Sequence, residues 1–90
     1  MAGNYVSIES MDRMIQSLIT FSEVLQEVVG TLKKDYDAVG AEWNDVQYDY
    51  LAEHLNELYA EIYRIYPMVS EMTTRVQLSK RLLIDYLTHR

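Results

Sequence analysis

The sequence predicts an all-α fold, an antiparallel two-helix hairpin with a kinked, longer second helix that dimerises into a four-helix bundle. Three observations predict it. Two long runs carry apolar residues at alternating spacings of three and four, the signature of an amphipathic helix. A short break, Gly40-Ala41-Glu42-Trp43-Asn44-Asp45, separates them and holds the only Trp. The apolar content, 49% of 90 residues, is more than one hairpin can hide.

Residues 1–6 read as a flexible tail, and residues 7–90 as one helical-hairpin domain. Ser7 is a suitable N-cap for helix one, with Glu9 in the favourable first turn. Helix one spans about 7–39. Its seam is Ile8, Met11, Ile15, Leu18, Ser22, Leu25, Val29, Leu32, Tyr36 and Val39, and Gly40 offers a C-terminal stop. The turn covers 40–44. Asn44 is the expected cap of helix two, with Gln47 reaching back in a capping box and Trp43 stapled over Tyr48.

Helix two spans about 45–88. Its heptads run through Tyr48, Leu51, Leu55, Leu58, Ile62, Ile65, Val69, Met72, Val76, Ser79, Leu83 and Tyr86. Pro67 interrupts the helix but not this series, so a kink is expected rather than a break. Folding back pairs Tyr36 with Leu51, Leu25 with Ile62 and Ile15 with Met72. Helix two then outruns helix one after Ser79.

Some apolar side chains have no place in that seam. Met14, Phe21 and Val28 fall seven apart beside it. Tyr59, Tyr63 and Tyr66 add aromatic area, and Leu83, Tyr86 and Leu87 stand on the overhang. Such surface marks an interface, and these nine residues form the candidate interface. Two hairpins closing on each other is the plainest arrangement.

Fourteen acids against eight bases leave a net charge of −6. That balance disfavours nucleic acid and anionic lipid, and no apolar run is long enough for membrane insertion. Asp45, Asp49, Glu53, Glu57 and Glu61 recur every four residues without a base, either as a solvated helix face or as a docking surface for a basic partner. The absence of Cys excludes disulfides and thiolate metal sites. Neither His54 nor His89 follows a Glu by three residues, and no glycine-rich phosphate loop is present. The reading is therefore of a non-enzyme with no catalytic residue, no metal and no cofactor.

The Trp-centred turn Trp43-Asn44-Asp45, in a 90-residue hairpin with heptads on both sides, resembles the WXG-type small proteins of type VII secretion systems, with Asp in place of the Gly. That resemblance implies a secreted substrate, or an adaptor or chaperone that pairs with an effector. The partner would be a second copy, another helical hairpin, or the helical N-terminal region of a secreted effector. It also implies synthesis in the cytoplasm and export without a cleaved signal peptide. The family's C-terminal Tyr-x-x-x-acid signal is replaced here by Tyr86-Leu87-Thr88-His89-Arg90. The alternative function is a cytoplasmic regulatory or assembly protein, such as an antitoxin, immunity protein or scaffold subunit, whose acidic stripe binds a basic partner.

Overall fold

Helix one ends where its apolar series stops, and the chain must turn there to cover that stripe. The computed structural model describes residues 7–43 and 45–89. Helix α1 spans Ile8–Gly40 and helix α2 spans Val46–Thr88. They pack against each other as a rod of 68 × 20 × 17 Å, and no strand occurs among the described residues. The expected tail, residues 1–6, and the expected cap Asn44 lie outside the described residues.

Ser7 caps α1 as expected. Its backbone is extended, and its Oγ accepts the Ser10 N–H at 3.0 Å. The α1 seam also follows the heptads. Leu18 and Val29 are buried, and Ile8, Met11, Ile15, Ser22, Leu25, Leu32 and Tyr36 are half-buried. Only Val39 leaves the series, exposed where the helix ends.

The cap of α2 is Asp45. Its carboxylate accepts the N–H groups of Gln47 at 2.8 Å and Tyr48 at 3.3 Å. A charged acceptor suits two free amides at the positive end of a helix. Gln47 is therefore the second helical residue, one short of the position a capping box needs. Trp43 still meets Tyr48 edge-on, at 6.2 Å between ring centroids, but one residue too early for a staple. Asp45 is held below the usual carboxylate range, first by the Trp43 indole N–H and then by the two backbone amides, against a partial opposing effect of burial.

Gly40 does not act as a left-handed stop. It remains helical, and Ala41 ends α1 in a right-handed conformation. The last turn tightens, with Ala41 N–H donating to Ala38 C=O and Glu42 and Trp43 N–H both donating to Val39 C=O. Glycine is favoured at this position by proximity: a Cβ at residue 40 would fall on the Tyr48 hydroxyl unless that ring shifted. That ring stacks on Tyr36 at 4.6 Å with 6° between planes, and its hydroxyl donates to the Tyr36 carbonyl at 3.4 Å.

Helix α2 continues without interruption through Pro67. Proline has no N–H to give the Tyr63 carbonyl, and its exposed position places that loss on the outer surface.

The side of α2 that meets α1 differs from the expected one. Leu55, Ile62, Val69, Val76 and Leu83 are in the seam as expected. The first four are followed there by the residue four on, Tyr59, Tyr66, Thr73 and Lys80, all half-buried. Leu58, Met72, Ser79 and Tyr86, expected in the seam, are exposed instead. Spacings of three and of four both stay near a helical face, and α2 carries apolar or aromatic residues at both. The pairing also lies about one helical turn further along than heptad counting sets it. Lys80 meets Asp12 at 2.5 Å, and Lys33 sits 5.0 Å over the Tyr59 ring. Cover from α1 therefore reaches Ile84, which lines a groove with Asp12 and Ile15, and only the last turn of α2 overhangs.

Two predictions follow from the turn. Gly40→Ala gains about 1 kcal/mol of helix propensity, yet should lose about 1–2 kcal/mol net in thermal unfolding, because the Tyr36–Tyr48 stack must move. A rise in Tm would contradict the close approach. Asp45 has a depressed folded pKa, so its stabilisation is present above the unfolded value near ~3.9 and is lost as pH falls through the folded value. Asp45→Asn keeps an acceptor without that charge. The stability gap between wild type and variant should shrink as the pH is lowered from neutrality through about 4; a gap independent of pH would show that the carboxylate's charge contributes nothing.

Candidate interaction surface

Among the described residues only Leu18, Val29, Leu55 and Val69 are buried, and no large side chain is fully enclosed. Two helices in contact seal one line of side chains and leave the flanks of each apolar arc in solvent. Those flanks compose the candidate surface.

On α1, Met14, Phe21 and Val28 are 44%, 50% and 56% exposed. Each stands three residues after one seam position (Met11, Leu18, Leu25) and one before the next (Ile15, Ser22, Val29). On α2, Leu58, Ile65 and Met72 hold the same offset from their seam; Leu58 and Met72 are exposed and Ile65 is half-buried. Both helices are right-handed and run in opposite directions. Equal offsets from the seam therefore fall on the same side of the hairpin. The six residues make one apolar face, with Val24 and Met68 at its outer edges.

The opposite side is grooved and carries more charged and polar groups, with Ile15, Ile19 and Ile84 among them. Asp12, Gln16, Gln77, Lys80 and Arg81 line one concavity near the open end. Nearer the turn, Lys33, Tyr36, Asp37, Asn56, Tyr59 and Tyr63 line another. There the Lys33 ammonium donates to the Tyr63 hydroxyl at 2.5 Å, which raises Lys33 above the ordinary lysine range against a smaller opposing effect of burial. The Tyr36 phenol is pushed up to about 12, chiefly by its hydrogen bond with the Tyr48 hydroxyl and then by burial.

The nine candidate interface residues therefore divide. Met14, Phe21 and Val28 lie on the apolar face. Tyr59, Tyr66 and Leu83 belong to the seam inside the hairpin, and Tyr63 stands on the polar side beside Lys33. Tyr86 and Leu87 are exposed on the last turn of α2. Of the turn motif, Trp43 packs on Tyr48 and Asp45 caps α2. Sequence reasoning missed Leu58, Ile65 and Met72 as surface, because their spacing also suits the seam.

In comparison with known proteins, no family model, no curated protein and no solved structure matches the chain. The surface must be read from its own chemistry.

Among the described residues, no three carboxylate or imidazole groups converge as metal ligands, and no helix is long and apolar enough to cross a membrane. The accessible area is 7173 Å². A compact monomer of 10.6 kDa is expected to show ~5,500 Å², so the rod exposes roughly 1,700 Å² beyond that.

Tyr59 supplies a test of the seam. Its hydroxyl is sealed from solvent and has no hydrogen-bond partner among the described residues. Tyr59→Phe removes the orphaned group and keeps the ring under Lys33. Denaturant unfolding should show unchanged stability or a gain of up to about 1 kcal/mol. A loss larger than that would reveal an acceptor on Oη.

Proposed function

We propose that this chain is a non-enzymatic interaction protein whose task is to pair its apolar face with a second helical hairpin. The observation that carries the reading is the continuous face of Met14, Phe21, Val28, Leu58, Ile65 and Met72 on a hairpin with four buried residues among those described. Exposed apolar surface on that scale is costly for a free monomer and useful at an interface. Its geometry suits closure by two more helices into a bundle.

Within that reading, the chain acts in the manner of WXG-type substrates, or of adaptors that pair with the helical N-terminal region of a secreted effector. Support for the family comes from the hairpin architecture and from Trp43 at the turn. Trp43 has a mechanical role in any case, since it packs edge-on against the ring that fills the space at Gly40.

The test is association by a tagged protein in its own host. Phe21→Glu places a carboxylate in the middle of the face and should weaken recovery of the helical partner at least tenfold, which corresponds to about 1.4 kcal/mol or more. Gln77→Glu, on the polar side, should leave recovery unchanged. If the wild type forms no complex with itself or with any helical protein, the reading fails.

A further inference from the structure

The chain has no Cys, so its sulfur lies entirely in five Met thioethers, and their placement is uneven. Met1 lies outside the described residues, and Met11 is half-buried in the seam. Met14, Met68 and Met72 are 44%, 59% and 42% exposed. All three stand on one side of the hairpin, Met14 and Met72 within the apolar face and Met68 at its outer edge. Among the described residues, the grooved side carries no Met. A thioether is an apolar group that one oxygen atom makes polar, and here such groups stand open to solvent on the face where polarity matters most.

Met72 holds the central place. The contacts Asp12–Lys80 and Lys33–Tyr59 set the heights of the two helices and bring Met72 level with Phe21. Val28 and Ile65 follow toward the turn, one heptad away on their own helices. None of these neighbours can donate a hydrogen bond. The cation nearest along α2, Arg75, is held by Glu71 at 3.0 Å. A sulfoxide oxygen at Met72 is therefore served by water while the face is open and left unpaired once the face is covered. An acceptor buried in that way disfavours the covered state by about tenfold or more.

We propose that Met14, Met68 and Met72 are a peroxide-sensitive modification site that switches the apolar face off. This rests on the pairing role proposed above and names its control. The oxidant is hydrogen peroxide or an alkyl hydroperoxide. The sulfur lone pair attacks one peroxide oxygen, an S–O bond forms and the O–O bond breaks. Sulfur gives up two electrons, and the peroxide leaves as water or an alcohol with both of its oxygen-bound or transferred protons accounted for. The attack needs an open approach to sulfur, so it is confined to the unpaired chain. Oxidation then keeps that chain unpaired until the sulfoxides are reduced.

The test compares the tagged full chain before and after treatment with hydrogen peroxide, with mass mapping of its peptides to place each added oxygen. Oxygen should reach Met14, Met68 and Met72 before Met11, and recovery of the helical partner should fall at least about tenfold. Methionine sulfoxide reductases, one for each epimer, should restore it. Within the recovered complex, Met72 should resist the same treatment. A triple variant, Met14→Leu with Met68→Leu and Met72→Leu, nearly conserves volume and should pair equally well before and after peroxide. Undiminished recovery of wild type oxidised at the three positions would overturn the inference. So would a loss of recovery in the treated triple variant, or oxidation of Met72 as fast in the complex as in the free chain. If untreated wild type forms no complex with itself or another helical protein, the pairing role fails first and the switch with it.

Discussion

Two helices touch along one line, and every other feature of this chain follows from how much apolar surface that line leaves uncovered. Helix α2 carries an apolar arc wider than α1 can seal. Along Leu55, Ile62, Val69, Val76 and Leu83, the residue three on and the residue four on compete for the seam. Tyr59, Tyr66, Thr73 and Lys80 are inside, while Leu58, Met72 and Ser79 remain outside and Ile65 is half-covered. The choice leaves some of the more hydrophobic side chains in solvent. Burial inside one hairpin does not account for that preference; the proposed pairing with a further pair of helices would.

The turn sets where those residues stand. Tyr48 lies across the end of α1, stacked on Tyr36 and occupying the space that a side chain at Gly40 would need. Asp45 ties down the first amides of α2, and Trp43 closes over the outer edge of Tyr48. A slide of one helix by a few residues would break these contacts and misalign Phe21 with Met72. The small aromatic cluster at the apex thereby fixes the register of an apolar face whose centre lies roughly 30 Å away, at ~1.5 Å per residue. Exposed ion pairs such as Arg13–Glu9 and Arg75–Glu71 add little to this, because solvent screens them.

Much of the architecture was legible in the sequence. The α1 seam, the Ser7 cap, the length of α2 and its continuity past Pro67 all follow from apolar spacing and from capping chemistry that acts locally. Met14, Phe21 and Val28 were legible as surface because their series runs beside a complete one. What was not legible depends on contacts between elements. Heptad spacing cannot separate Leu58 from Tyr59, or Met72 from Thr73, when both positions suit a helical face. Gly40 reads as a helix stop until Tyr48 is seen against it. Asn44 and Asp45 are both good caps, and only the geometry of the Gln47 and Tyr48 amides identifies Asp45 as one that caps α2.

The hairpin is under-buried alone, and under the proposed pairing it gains stability by covering the apolar face. The most direct measurement is thermal unfolding of the pure chain, followed by circular dichroism over about a hundredfold range of concentration. If folding and association are linked, mass action raises Tm with concentration. That rise is expected, together with loss of helix on dilution. A cooperative transition with the same Tm at every concentration, from a species of 10.6 kDa, would contradict it.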